Sequence, residues 1–174
     1  MSLRFALMAG AVAVCANAWS QTVLENVGLL GMSREQLEPA LPGAQPVRSP
    51  RRLSSGALGF LRVPDVLLEG SHFEQTLYFA HQRLEQMDLV LLIPGAGPGT
   101  DAAATQTQAA LLQSLRAKLG PELASFATSP ETLPDSASWV SAGADVMLFR
   151  TGAPNRPTVR LVIRQRHLVD ASEL

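Results

Sequence analysis

FEQTLYFAHQRLEQMDLVLLI, residues 73–93, is the stretch that decides the fold. Its two apolar runs alternate with polar residues at a period of two, which is typical of β-strands with one buried face. Residues 80–83, AHQR, separate the runs and predict the turn of a β-hairpin. Leu84 breaks the alternation of the second run, so we expect a β-bulge near Glu85.

Two amphipathic helices and several further strands are predicted around this hairpin. The segment GMSREQLEPALPG, residues 31–43, predicts a helix of two turns, because Ser33 and Gln36 have the spacing of a capping box. Asp101 is the predicted N-cap of a second helix, whose apolar stripe repeats at the helical period as far as Leu119. Strands are predicted at 57–63, 138–142, 144–149 and 158–166, and polar loops at 44–56, 64–71 and 125–137. The last two strands should form a hairpin across a turn at 151–157.

The predicted elements occur in the same order in both halves of the chain. FEQTLYFA at 73–80 corresponds to ADVMLFRT at 144–151, and MDLVLLI at 87–93 to TVRLVIR at 158–164, both 71 positions apart. We therefore predict an α+β fold of two tandem α-β-β-β units, 19–96 and 97–174. Neither unit can bury its apolar face alone, so helices should cover one face of an antiparallel sheet in one compact body.

The first 18 residues have the pattern of a cleaved export signal. Arg4 supplies the positive charge, residues 5–16 form an apolar run, and Ala16-Asn17-Ala18 is an A-x-A cleavage site, so cleavage is expected after Ala18. Cys15 follows the bulky Val14, and we do not expect lipidation there. The apolar run is too short to span a bilayer, and the mature chain should have no transmembrane span. We expect a periplasmic or secreted protein.

Composition narrows the possible chemistry. The 14 basic and 15 acidic residues give a net charge of −1, which does not indicate nucleic acid as a partner. Cys15 is the only cysteine, so the mature chain has no disulfide and no thiolate nucleophile or metal ligand. Because no histidine or acidic pair has a catalytic or metal-binding spacing, we predict no catalytic residue, no metal and no cofactor.

An interface on the outer face of the sheet is the functional site that the pattern favours. Alternation places Tyr78 and Trp139 on that face, where large aromatic residues are common interface anchors. The alternative is that both side chains lie in a second buried layer. Arg160, Arg164 and Arg166 form a row on the last strand, which either solvates the edge or attracts an acidic partner.

Phe73, Phe79 and Phe149 are predicted to lie in the core. They alternate with polar residues in the two predicted hairpins, as expected for side chains on the buried face.

A family resemblance also rests on the first helix. The motif GMSREQL at 31–37, behind an export signal and before antiparallel strands, resembles the SmpA/OmlA (BamE-like) class of small cell-envelope proteins. The β-lactamase inhibitor protein has a related tandem α/β build. The resemblance implies a non-catalytic protein that binds another cell-envelope protein, although, unlike the lipoprotein members, the chain has no cysteine in the right context for lipidation.

Two other functions remain open from the sequence. One is a carrier of an apolar small molecule in a helix–sheet groove, which would need a concave pocket lined by Leu112, Leu115 and Phe149. The other is an envelope hydrolase with an unrecognised site, which would need acids or histidines converging in a cleft.

Overall fold

The computed structural model describes residues 20–93, 95, 99–129 and 132–167. The predicted signal segment, and the boundary expected between residues 96 and 97, lie outside these ranges. The described residues form three helices: α1 (Val23–Leu29), α2 (Arg34–Leu37) and α3 (Thr100–Leu119). They also form nine strands: β1 (Ser20–Gln21), β2 (Gln45–Pro46), β3 (Leu58–Leu68), β4 (Ser71–Ala80), β5 (Arg83–Leu91), β6 (Ala124–Phe126), β7 (Ser136–Ser141), β8 (Ala144–Ala153) and β9 (Arg156–Gln165).

All nine strands belong to one sheet, so the predicted α+β class is confirmed. The strand order across the sheet is β1-β3-β4-β5-β9-β8-β7-β6. Strand β2 also pairs with β3 but is not part of this order. Every pairing is antiparallel except that of β1 with β3. Two three-stranded meanders, β3-β4-β5 and β7-β8-β9, therefore meet at the central pair β5–β9.

The hairpin at 73–93 forms as predicted. His81 and Gln82 connect β4 to β5 with φ angles of 49° and 61°, the left-handed conformation of a tight two-residue turn. The register shifts between Tyr78, which pairs with Gln86, and Phe79, which pairs with Leu84. Glu85 is thus the extra residue of the predicted bulge.

Strand β3 continues through Pro64, so the prediction of a loop after Val63 is wrong. The strand bulges between Val63 and Val66. On its other side β2 pairs with residues 61–62 and β1 with residues 67–68. Pro64 falls between these two pairings, at the bulge. Its backbone has no N–H to donate, and the ladder needs no hydrogen bond from it at this position.

The helical segment at 31–43 is shorter than predicted. Ser33 accepts from the backbone N–H of Gln36 at 3.4 Å, and the Gln36 side chain accepts from the Ser33 N–H at 2.9 Å, which confirms the capping box. Helix α2 nevertheless ends at Leu37 after one turn, just before Pro39, which cannot donate to an interior turn.

Helix α1 was not predicted, although Thr22 and Glu25 form a second capping box. Gln75 Nε2 of β4 donates to Asn26 Oδ1 at 2.8 Å, and both side chains are fully buried. This amide pair attaches α1 to the sheet.

The long helix α3 follows the predicted stripe. Its buried residues include Ala104, Leu111, Leu112 and Leu115, and Leu119 is partly buried against the same core. The predicted N-cap is wrong, because Gly99 occupies that position in the left-handed conformation with a φ of 95°.

The second hairpin is longer than predicted, because β8 and β9 continue to a two-residue turn at 154–155. Strand β6 occupies part of the predicted loop 125–137.

The core lies between the sheet and its three helices. We call the helix-covered side the inner face and the opposite side the outer face. Trp139 is 1% exposed on the inner face, and its Nε1 donates to the Gly120 carbonyl at 3.0 Å. The predicted position of Trp139 on the outer face is therefore wrong. A large apolar side chain with one polar atom is stable in the core when that atom finds an acceptor.

Candidate functional site

The outer face carries rows of side chains that cross several strands. The antiparallel register aligns Tyr78 with Gln86, Gln86 with Arg164, and Arg164 with Asp145. A neighbouring row runs through Asp88, Val162 and Met147, and a third through Arg160 and Phe149. All three predicted arginines and Tyr78 are thus brought to one surface, and Trp139 is not.

Asp88 is the centre of the polar contacts on this face and is 4% exposed. Its carboxylate accepts a hydrogen bond from Arg160 Nη2 and another, at 2.7 Å, from Gln86 Nε2. Burial and the negative charge of Asp88 raise the pKa of Tyr78 above its ordinary value. Asp88 is therefore buried although no described helix packs on the outer face, whereas the side chain of its partner Arg160 is partly exposed.

Tyr78 lies on the outer face as predicted, but it is only 4% exposed. Its ring covers Gly59 of β3, where an added Cβ atom would lie 3.0 Å from Tyr78 Cε1. An aromatic ring over a strand glycine shields the backbone there from water. Tyr78 is therefore part of the packed surface of the sheet and does not project as an anchor.

The arginine row consists of Arg160, Arg164 and Arg166. Arg164 and Arg166 share Asp145, at 3.0 Å and 3.9 Å, while Arg160 pairs with Asp88. Three guanidinium groups thus meet two carboxylates, which leaves one positive charge in excess. Because the Arg164 side chain is 52% exposed, the row is accessible to a partner in solution.

An apolar corner adjoins the arginine row, and we define it by Phe126, Met147 and Phe149. Phe126 is 65% exposed, and the other two residues are half-buried. These side chains line a depression of about 260 Å³ with neighbouring residues of β6 and β7. The core position predicted for Phe149 is wrong, whereas Phe73 and Phe79 are buried as predicted.

The apolar corner depends on β6, which the sequence reasoning missed. Only Ala124–Phe126 forms this strand, and all three residues are exposed, so periodicity carries no signal for it. The sequence signal that could have indicated β6 is Phe126, a large apolar residue in an otherwise polar segment.

The pocket predicted for an apolar carrier is not formed by the expected residues. Leu112 and Leu115 are buried between α3 and the sheet, whereas Phe149 lies on the other side of β8. Strand alternation separates them, because Leu148 takes the inner position beside Phe149.

The described residues do not form a cluster of metal-binding side chains. No group of three or more His, Cys, Asp or Glu residues lies close enough to hold a metal ion within the described ranges. His72 Nδ1 contacts Asp65 Oδ1 at 2.7 Å, with both side chains more than half exposed. No helix of the described residues is long and apolar enough to cross a membrane.

Comparison with known proteins found no relative of this chain. No family model, no curated protein and no solved structure matches the chain, so the resemblance of residues 31–37 to a cell-envelope family receives no support from them.

Proposed function

We propose that this chain is an exported cell-envelope protein that binds another protein through the outer face of its sheet, without catalysing a reaction. Export would follow cleavage after Ala18, as the pattern of residues 1–18 suggests. The partner would be another envelope protein, as the resemblance to the SmpA/OmlA (BamE-like) class implies. Membrane anchoring through Cys15 is not part of this proposal.

The apolar corner beside the arginine row is the observation that carries the proposal. Protein interfaces combine an apolar centre with charged groups at the rim. Phe126 offers an exposed apolar side chain next to a depression, and the row adds an excess positive charge. A partner with an apolar side chain for the depression and carboxylates for the row would be complementary to both.

We further propose that the fold is a tandem repeat. Each half supplies a helix followed by three antiparallel strands, α2 with β3-β4-β5 and α3 with β7-β8-β9. The matching segments 71 positions apart support this interpretation. The two last strands, β5 and β9, pair antiparallel, as a pseudo-twofold arrangement of the units requires. The outer face would then be a composite surface built by both units.

Affinity capture with matched variants tests the proposed interface. The chain from Trp19 onward is used as bait in native envelope extracts, beside the double variant Phe126→Ser/Arg164→Glu. We expect a co-purified protein that the double variant loses. The control Phe60→Ser changes another partly exposed aromatic residue, 39% exposed and outside the corner, and should retain the partner.

Two results would contradict the proposal. One is a partner that the double variant binds as well as the unchanged bait. The other is recovery of a stoichiometric small molecule without any protein. Export is checked separately by N-terminal sequencing of the exported form, which should read Trp19-Ser20-Gln21, whereas an intact Met1 would argue against signal cleavage.

A further inference from the structure

A second concave surface lies away from the apolar corner, and we call it the α2 groove. It lies between residues 33–35, the loop at 52–56 and the hairpin tip at 80–82. Its volume is about 630 Å³. Small-molecule sites in proteins typically have about 300–1,000 Å³, so the groove can hold a ligand of moderate size.

The interior of the α2 groove is apolar. Leu58, Phe60 and Phe79 line it, and the two phenylalanine rings lie 6.5 Å apart at an angle of 47°. Phe79 is buried, but Phe60 is 39% exposed and is one of the few large apolar side chains so exposed in the described chain. Covering Phe60 with an apolar group would remove this surface from water, which is favourable.

The rim of the groove is cationic. Arg34 and Arg52 line it together with a single carboxylate, Glu35, so the balance of these charges is +1. Arg52 uses Nη1 to donate to the Gly56 carbonyl at 3.0 Å, which leaves other guanidinium N–H groups for a ligand. The Arg34 guanidinium makes no ion pair or side-chain hydrogen bond with any residue that the structure describes.

We propose that the α2 groove binds a monocarboxylate with an aliphatic chain, such as a fatty acid. The chain would cover Phe60, and the carboxylate would accept hydrogen bonds from Arg34 and Arg52 in the fork geometry that guanidinium favours. A single negative charge balances the net charge of the rim, whereas a cationic amphiphile would be repelled. This ligand site is separate from the proposed protein interface and does not depend on it.

Calorimetric titration with decanoate tests the proposal on the chain from Trp19 onward, which retains every described residue. Decyltrimethylammonium, with the same alkyl chain and the opposite charge, is the matched probe, and both are used below their micelle concentrations. We expect saturable one-to-one binding of decanoate and no saturable binding of the cationic probe. Failure of decanoate to saturate, or equal binding of both probes, would overturn the proposal.

Variants of the rim and the floor locate the site. Arg34→Gln and Phe60→Ser should each weaken decanoate binding about tenfold, as expected for the loss of one charge-assisted hydrogen bond or one apolar contact. Glu35→Gln should tighten binding, a gain that misfolding cannot produce. Phe126→Ser, in the apolar corner, should leave the affinity unchanged. Affinities that none of the three groove variants alters would place the ligand elsewhere and contradict the proposal.

Discussion

Tyr78 is buried although it lies on the outer face of the sheet, which carries no described helix. The residues around Tyr78 explain this burial. The ring fits over Gly59 because that residue has no Cβ atom, and the carboxylate of Asp88 lies near enough for its negative charge to raise the pKa of Tyr78. Asp88 is held in turn by Arg160 and Gln86. A few complementary side chains thus exclude water from this part of the outer face.

The titration of Tyr78 gives the first prediction, and it is directly measurable because Tyr78 is the only tyrosine. Burial and the charge of Asp88 raise its pKa, so the tyrosinate absorbance of the native protein should rise at a higher pH than that of the unfolded chain. An unfolded tyrosine has a pKa of about 10. Above that pH the folded state binds more protons than the unfolded state, so the free energy of unfolding should fall as the pH rises.

Two variants separate the causes of the raised pKa. Asp88→Asn removes the negative charge beside the phenol, so the midpoint should move down towards that of the unfolded chain. Asp145→Asn, on the same face but with Arg164 and Arg166 as its partners, should leave the midpoint unchanged. A native midpoint at or below the unfolded one would contradict the interpretation.

At the scale of elements, polar side chains attach α3 to the second meander. Arg150 of β8 points to the inner face and donates to Asp101 Oδ1 at 2.6 Å and to Thr105 Oγ1 at 2.7 Å. It also donates to Gln108 Oε1 at 3.1 Å, and Gln108 Nε2 donates to the Pro134 carbonyl at 2.6 Å. These bonds fix the first turns of the helix, while Leu111, Leu112 and Leu115 pack its later turns against the sheet.

The second prediction concerns Arg150. Arg150→Met should lower the free energy of unfolding by about 1–3 kcal/mol, because it leaves the buried Gln108 oxygen without this donor. Arg164→Met is the matched control, since it also removes an arginine–aspartate pair from an interior strand of the sheet, but its side chain is more exposed. Its cost should be about 0–1 kcal/mol. Urea denaturation measures both values, and equal losses would show that the Arg150 contacts are not what attaches the helix.

At the scale of the whole molecule, the central pair β5–β9 joins the two halves of the chain. Leu89 pairs with Leu161 and Met87 with Ile163, and all four side chains are fully buried. Helix α1 of the first half also contacts β9 of the second half. We call this contact between β5 and β9 the apolar seam. Each half alone would expose the seam and a free strand edge, so the halves should depend on each other for folding.

The third prediction follows from this seam. Fragments 19–96 and 97–174 should each be largely unfolded when expressed separately, and should form a one-to-one complex when refolded together. Circular dichroism and size-exclusion chromatography measure the two outcomes. Leu89→Asp in the first fragment should prevent the complex, because it puts a charge into the seam. A fragment that unfolds cooperatively on its own would show that the halves are independent domains.

Local patterns in the sequence predicted the elements that neighbouring residues specify. The hairpin at 73–93, its bulge at Glu85 and the stripe of α3 depend on alternation, turn conformation and helical period. The capping box at Ser33 depends on hydrogen bonds within three residues. These interactions join residues that are close in the sequence. They can therefore be recognised in the sequence without knowing which distant segments pack together.

The sequence by itself therefore determined the α+β class, the order of most helices and strands and the placement of the arginine row on one face. Only the tertiary structure decided that β3 passes through Pro64, that Trp139 turns inward and that β6 brings Phe126 beside Met147 and Phe149. It also decided the pairing of β5 with β9 and the meeting of distant residues in the α2 groove. The physical reason is that strand pairing and burial depend on contacts between segments far apart in the chain, whose register local periodicity leaves open.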